Sequence, residues 1–263
     1  MSLSTYIAFF FCACRSCFFW PQALRSIAGS TVRSIVQVCF WLALLGGHPR
    51  DAEFIQMLSY MLIITFFNTM ISFKRQSWSE PYDESKIALS AIRPYSFQTA
   101  FHSTLLGANV GRFITVSLPV IILFGCLFGI PLPADFSHGA LSFLQAIAGL
   151  LLTNQLLFLF ASVPRLFRSV PRPGLATGFQ TALLVFGGTM IPIWHYPDFL
   201  QRICMFLPFR FCVMEAVYGY IGRISVAQGF LGLAVTLFWI SSLHLAGQAI
   251  CRGVEQRVTR KGG

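Results

Sequence analysis

Six apolar runs, most of them near the length of a bilayer crossing, are strung along this chain between proline-, glycine- and arginine-rich breaks. A helix that crosses the hydrocarbon needs roughly 20 mostly apolar residues. Only a helix or a closed barrel can satisfy its own backbone polar groups there. The runs cover about 30–45, 53–73, 108–129, 139–163, 175–191 and 226–250. Composition points the same way. Charged residues are 11% of the chain and apolar residues 56%, whereas a soluble domain carries roughly a quarter charged residues. Lipid has to cover what charge does not.

The expected architecture is an all-α integral membrane protein. It has one transmembrane domain over 1–263, about six spans, an interfacial helix over 1–25 and a re-entrant outer segment over 192–223. The first apolar stretch, Tyr6 to Trp20, is interrupted by Arg15 and closed by Pro21. No charged residue precedes it, so it lacks the basic start of a signal peptide, and it is expected to lie along the membrane surface. The segment before the last span is apolar but carries Pro192, Pro197 and Pro208. Such spacing suits short helices that dip in and return better than a full crossing.

The net charge is +10. The charges sit between apolar runs, so topology explains them and nucleic acid is not an expected partner. With the N-terminus inside, the inner side collects Arg15, Arg25, Arg33, Lys74, Arg75, Lys86, Arg93, Arg165, Arg168, Arg172, Arg252, Arg257, Arg260 and Lys261. The outer side keeps Arg50, Arg202, Arg210 and Arg223, and Arg112 falls near the inner end of the third span. The positive-inside rule then places both termini in the cytoplasm of a cell-membrane protein.

Several chemistries lack their motifs. No Walker A loop surrounds Lys74, Lys86 or Lys261, and no HExxH or GxSxG is present. No catalytic residue is therefore assigned. Cys12, Cys14 and Cys17 have no second His/Cys cluster to complete a zinc site, so no metal is expected. Cys204 and Cys212 are read as free thiols, with pairing left open. Among acidic residues only Glu53 and Glu215 lie in or near an apolar run, which weakens a proton-driven mechanism.

Motif order resembles one family. Leu207-Pro208-Phe209, Tyr218-Gly219-Tyr220-Ile221-Gly222, Trp239 and the tail Arg260-Lys261-Gly262-Gly263 look like the C-terminal half of the ABC type-2 exporter permeases. Ile92-Arg93-Pro94 resembles that family's motif ahead of the third span. Gly187 to Pro192, followed by Tyr196-Pro197, resembles its passage at the outer end of the fifth. Where the family often carries a proline soon after Leu-Pro-Phe, this chain has Ala216, beside Glu215. The resemblance implies a bacterial inner-membrane permease paired with a second copy or paralogue. It also implies a separate ATP-binding cassette ATPase subunit that holds the ATP and magnesium, so this chain binds no cofactor itself. The alternative class is a self-contained secondary transporter or channel.

Three groups of residues are candidates for function. In the inner loop 74–94, Asp83, Glu84, Lys86, Ile87, Ala91 and Ile92 are expected to form a short amphipathic helix, capped by Asp83, with Arg93 after it as a further coupling candidate. The helix either docks in a groove of the ATPase or rests on the headgroups. Asn109, Arg112, Asn154, Gln155 and Gln180, with His244 and Gln248, are polar groups in or near spans. They either line a translocation path or bond helix to helix. Gly178, Gly187 and Gly188 either form a dimer seam or are ordinary glycines of a membrane helix.

Overall fold

The computed structural model describes residues 3–45, 52–70, 96–166 and 172–261. Among the described residues every regular element is helical. In chain order they are α1 (Leu3–Ser16), α2 (Trp20–Leu45), α3 (Ala52–Met70), α4 (Phe97–Phe128), α5 (Phe136–Leu166) and α6 (Arg172–Phe186). A 3-10 turn (Ile193–His195) follows, then α7 (Asp198–Phe206), α8 (Pro208–Ile221) and α9 (Val226–Lys261). Helices α2, α4, α5 and α9 are long and apolar enough to cross a membrane, and the bent pair α7–α8 makes a fifth candidate. The chain is an all-α, multi-pass membrane protein. The expected second and fifth spans are α3 and α6, with 19 and 15 residues, and both adjoin residues outside the described set.

Three boundaries differ from the expectation, each for a local reason. Pro21 starts α2 instead of closing the stretch before it, because proline suits the first turn of a helix. The first long helix therefore begins at Trp20, ten residues ahead of Ser30. α4 begins at Phe97, not near Ala108, and runs as one 32-residue helix through a π turn at Phe113–Ser117. Pro119 follows that turn, lacks an N–H and crowds the carbonyl four residues back. A widened turn just upstream absorbs the conflict. α6 stops at Phe186 because Gly188 takes the left-handed conformation (φ 63°) and Pro192 follows.

α1 packs lengthwise on the first half of α4, running in the same direction. Phe10 lies against Gly107 and Cys14 against Gly111, so close that a Cβ on either glycine would meet main-chain atoms within 3 Å. Helices in lipid gain little from hydrophobicity when they meet, so such small-residue contact is what holds them. The pair Gly107 and Gly111, four apart on one face, forms that seat.

α5 is the central helix. α8 lies antiparallel on it, with Cys212 beside Gly149 and Ser142 Oγ donating to the Ala216 carbonyl at 2.7 Å. α9 lies parallel to it, with Gly229 against Leu141 at one level and Gly247 against Phe158 at another. α3 closes the core with Tyr60, Ile64 and Phe67, all at most 1% exposed. A capping box at Ser225 and Gln228 starts α9.

α7 and α8 meet at 106° across Leu207 and Pro208. The two ends of the segment that contains them come back together. The Arg223 guanidinium stacks 4.3 Å over the Trp194 ring and donates to Gln56 Oε1 at 2.8 Å. The same end of the bundle holds the Ala134–Tyr220 main-chain bond and the Tyr60 hydroxyl on the Gly188 carbonyl. His195 stacks on Trp41 there, and burial, with the Arg223 cation adding, pushes its imidazole below the ordinary value.

Candidate functional site

One run of polar side chains inside the bundle falls on a stripe of α4 and on residues of α3, α5 and α9 turned toward it. Gln98, His102, Asn109 and Arg112 follow at intervals of roughly one or two turns, which keeps them on the same side of the helix.

At the first level, His244 of α9 is caged by three amides. Gln98 Nε2 and Gln155 Nε2 lie 3.1 and 3.3 Å from its Nδ1, and Gln248 Nε2 lies 3.1 Å from its Nε2. A neutral imidazole offers one acceptor only, so at least one amide must turn its oxygen toward the ring. His102 sits beside this cage, its ring centroid 6.3 Å from that of His244. Phe101 and Phe158 close it on the apolar side.

Two turns further along α4, Asn109 Nδ2 donates to Asn154 Oδ1 at 3.2 Å, and both residues are buried. One turn beyond, Arg112 Nε donates to the Thr69 carbonyl of α3 at 3.3 Å. Thr69 Oγ1 also bonds Ser117 in the π turn at 2.7 Å. Five side-chain atoms in these two levels are buried without a hydrogen-bond partner: Gln98 Oε1, His102 Nε2 and Gln155 Oε1 around His244, and Asn154 Nδ2 and Arg112 Nη1 beyond.

A third level lies toward the end that holds Arg223. Gln145 Nε2 donates to the Gly229 carbonyl, and Arg210 holds Glu215 at 2.9 Å. Glu215 is 4% exposed, so an acidic group does stand inside the bundle.

Of the residues singled out in the sequence, Asn109, Arg112, Asn154 and Gln155 come together on adjoining levels. Gln180 is half-buried on α6 and joins none of these bonds. Gly178 is exposed with nothing near its Cβ position. Gly187 and Gly188 belong to the turn that ends α6, where Gly188 packs on Ile193 and Met214 of the same chain. Asp83, Glu84, Lys86, Ile87, Ala91, Ile92 and Arg93 lie outside the described residues. Cys204 and Cys212 are both free and buried.

Gln98, His102, Thr69 and Ser117 escaped the sequence reading. The four-residue spacing of Gln98 and His102, continued by Asn109 and Arg112, was the available signal. The expected third span begins near Ala108, which leaves Gln98 and His102 outside it. Among the described residues no three His, Cys, Asp or Glu side chains gather as a metal site. The stripe offers donors and acceptors for binding and no nucleophile paired with a base. Comparison with protein-family models, with curated proteins and with solved structures gave no match, so the reading of this site rests on the chain itself.

Proposed function

We propose that this chain is the membrane-spanning permease subunit of an ATP-driven exporter of the ABC type-2 kind. It would move a lipophilic or amphiphilic compound, with six spans and both termini in the cytoplasm. Its partners are an ATP-binding cassette ATPase, which holds ATP and magnesium, and a second permease, identical or paralogous. The observation that supports this best is the broken pair α7–α8. It bends by 106° at the Leu207-Pro208-Phe209 motif that carries the resemblance, and it brings Trp194 and Arg223 together just ahead of the last span. A pair bent this sharply, with its two flanks side by side, supports a segment that enters and leaves by one face.

Cysteines placed at Asp198 and at Arg223 should both react with an impermeant maleimide from the same side of sealed vesicles. Reaction of one from each side would make α7–α8 a crossing and remove the main support for the family. The coupling half of the proposal is tested separately. Ile87→Asp with Ile92→Asp should abolish export and pull-down of the ATPase at unchanged membrane abundance. Each buried aliphatic side chain contributes about 1.5–3 kcal/mol to such a contact. Normal export by that double variant would exclude loop 74–94 as the coupling element.

One observation favours the second reading, a self-contained secondary transporter. Glu215 at one level, and His102 beside His244 at another, stand within the bundle, where proton-driven carriers keep such groups. Vesicles loaded with the purified chain alone separate the two. Transport driven by a proton gradient without an ATPase supports the carrier, and transport only with ATPase and ATP supports the exporter.

A further inference from the structure

We infer that Arg112 is the centre of an anion-binding site within the bundle, which takes the carboxylate or phosphate headgroup of an amphiphile. The guanidinium is partly enclosed by α1, α3 and α4. Its one hydrogen bond runs to a main-chain carbonyl, that of Thr69, and Nη1 is buried without a partner. Among the described residues the ion pairs are His138 with Asp135 and Arg210 with Glu215, so none of their carboxylates answers this charge. A cation partly withdrawn from water is stabilised by a counter-charge.

A second orphan donor stands one turn away. Asn154 is 3% exposed and its Nδ2 has no acceptor. Turning the amides of Asn109 and Asn154 only exchanges which NH2 is left over. Arg112 and Asn154 each leave a donor unanswered, while the unanswered Gln155 Oε1 belongs to the His244 cage, and paired free donors select an anion over a cation. A guanidinium fork is also suited to carboxylate and phosphate oxygens. The π turn at Phe113–Ser117 begins at the next residue, and such turns recur at binding sites.

Depth identifies the ligand as an amphiphile. The corner between α1 and α2 lies against this part of α4, since Cys17 Sγ reaches the Ala108 carbonyl and Cys17 Cβ adjoins Gly111. That corner exposes Phe18, Phe19 and Trp20, at 49%, 61% and 70%, flanked by exposed Arg15 and Arg25. Exposed aromatics with arginine mark the headgroup level of a membrane helix. A headgroup at that level reaches Arg112 while its chain stays in hydrocarbon.

The test is binding by the full chain, which needs no ATPase and so stands or fails apart from the export proposal. The protein is placed in phosphatidylcholine nanodiscs and titrated with spin-labelled stearic acid and with its trimethylammonium counterpart. Wild type should prefer the acid. Arg112→Gln should lose that preference by about tenfold or more, and Arg112→Lys should keep part of it. Asn154→Asp sets a carboxylate beside the site and should lose acid binding while remaining monodisperse. It carries the test if Arg112→Gln does not fold. Repeating the titration with phosphatidylglycerol in the disc, and with inorganic phosphate, separates the sources. Competition by the lipid assigns a membrane headgroup, and competition by free phosphate assigns a soluble anion. Acid binding that is unchanged in both Arg112→Gln and Asn154→Asp overturns the site.

Discussion

Gly149→Val should leave little folded protein. An ideal Cβ at Gly149 falls 2.1 Å from the Cys212 carbonyl oxygen and 2.8 Å from its carbon. These are main-chain atoms of α8, so no rotamer change relieves the overlap. α8 would have to withdraw from α5 along the contact that buries Cys212, Val213 and Met214, none of them more than 1% exposed. Ser142 would lose the Ala216 carbonyl at the same time. Overpacking a rigid interior costs about 1–3 kcal/mol and more when backbone must move, which is a large share of the stability of a typical domain. The measurement is the monodisperse peak of a fluorescent fusion after extraction and a heating series. Gly29→Val is the control, because nothing lies within 4 Å of its Cβ position. Equal melting of the two variants would mean that α5 and α8 are not held this closely.

The sites of such contacts show what the sequence could and could not disclose. Long apolar runs specified α2, α4, α5 and α9 as helices of crossing length, because apolar length alone decides that question. Pro197 marked the start of α7 and Pro208 the break between α7 and α8, because a missing N–H has a local effect. Close approach is not local. Gly107 and Gly149 look like any glycine of a membrane helix until the partner helix is known. Gly187 and Gly188 lie in the turn after α6, where Gly188 takes a positive φ. The polar stripe was half legible. Asn109, Arg112, Asn154 and Gln155 stood out as polar residues in apolar runs. Gln98 and His102 did not, because α4 extends a further eleven residues toward its N-terminus than apolarity indicated. His244 was noticed, but its three amide neighbours come from three helices, and only their packing makes a cage.

Arg210→Met should destabilise the chain by about 3–5 kcal/mol, the usual cost of stripping one partner from a buried ion pair. Arg210 and Glu215 lie five residues apart on α8. The guanidinium reaches Glu215 Oε1 through Nη2 at 2.9 Å and through Nε at 3.0 Å. The other carboxylate oxygen faces Gly232 of α9, where a Cβ would come within 2.5 Å of it. The Arg210 side chain is 17% exposed and that of Glu215 6%, and the guanidinium also rests 5.3 Å from the Tyr218 ring centroid. Without Arg210 the carboxylate is left between α8 and α9 with no cation among the described residues. Removing both charges removes that penalty, because an apolar pair of similar volume is often as stable as the ion pair it replaces. The double variant Arg210→Met with Glu215→Leu should therefore melt nearer to wild type than Arg210→Met alone. A double-mutant cycle on melting temperature in detergent reads this directly. Additive losses, with the double variant the worst of the three, would show that water reaches the pair and that α8 does not occupy the interior of the bundle.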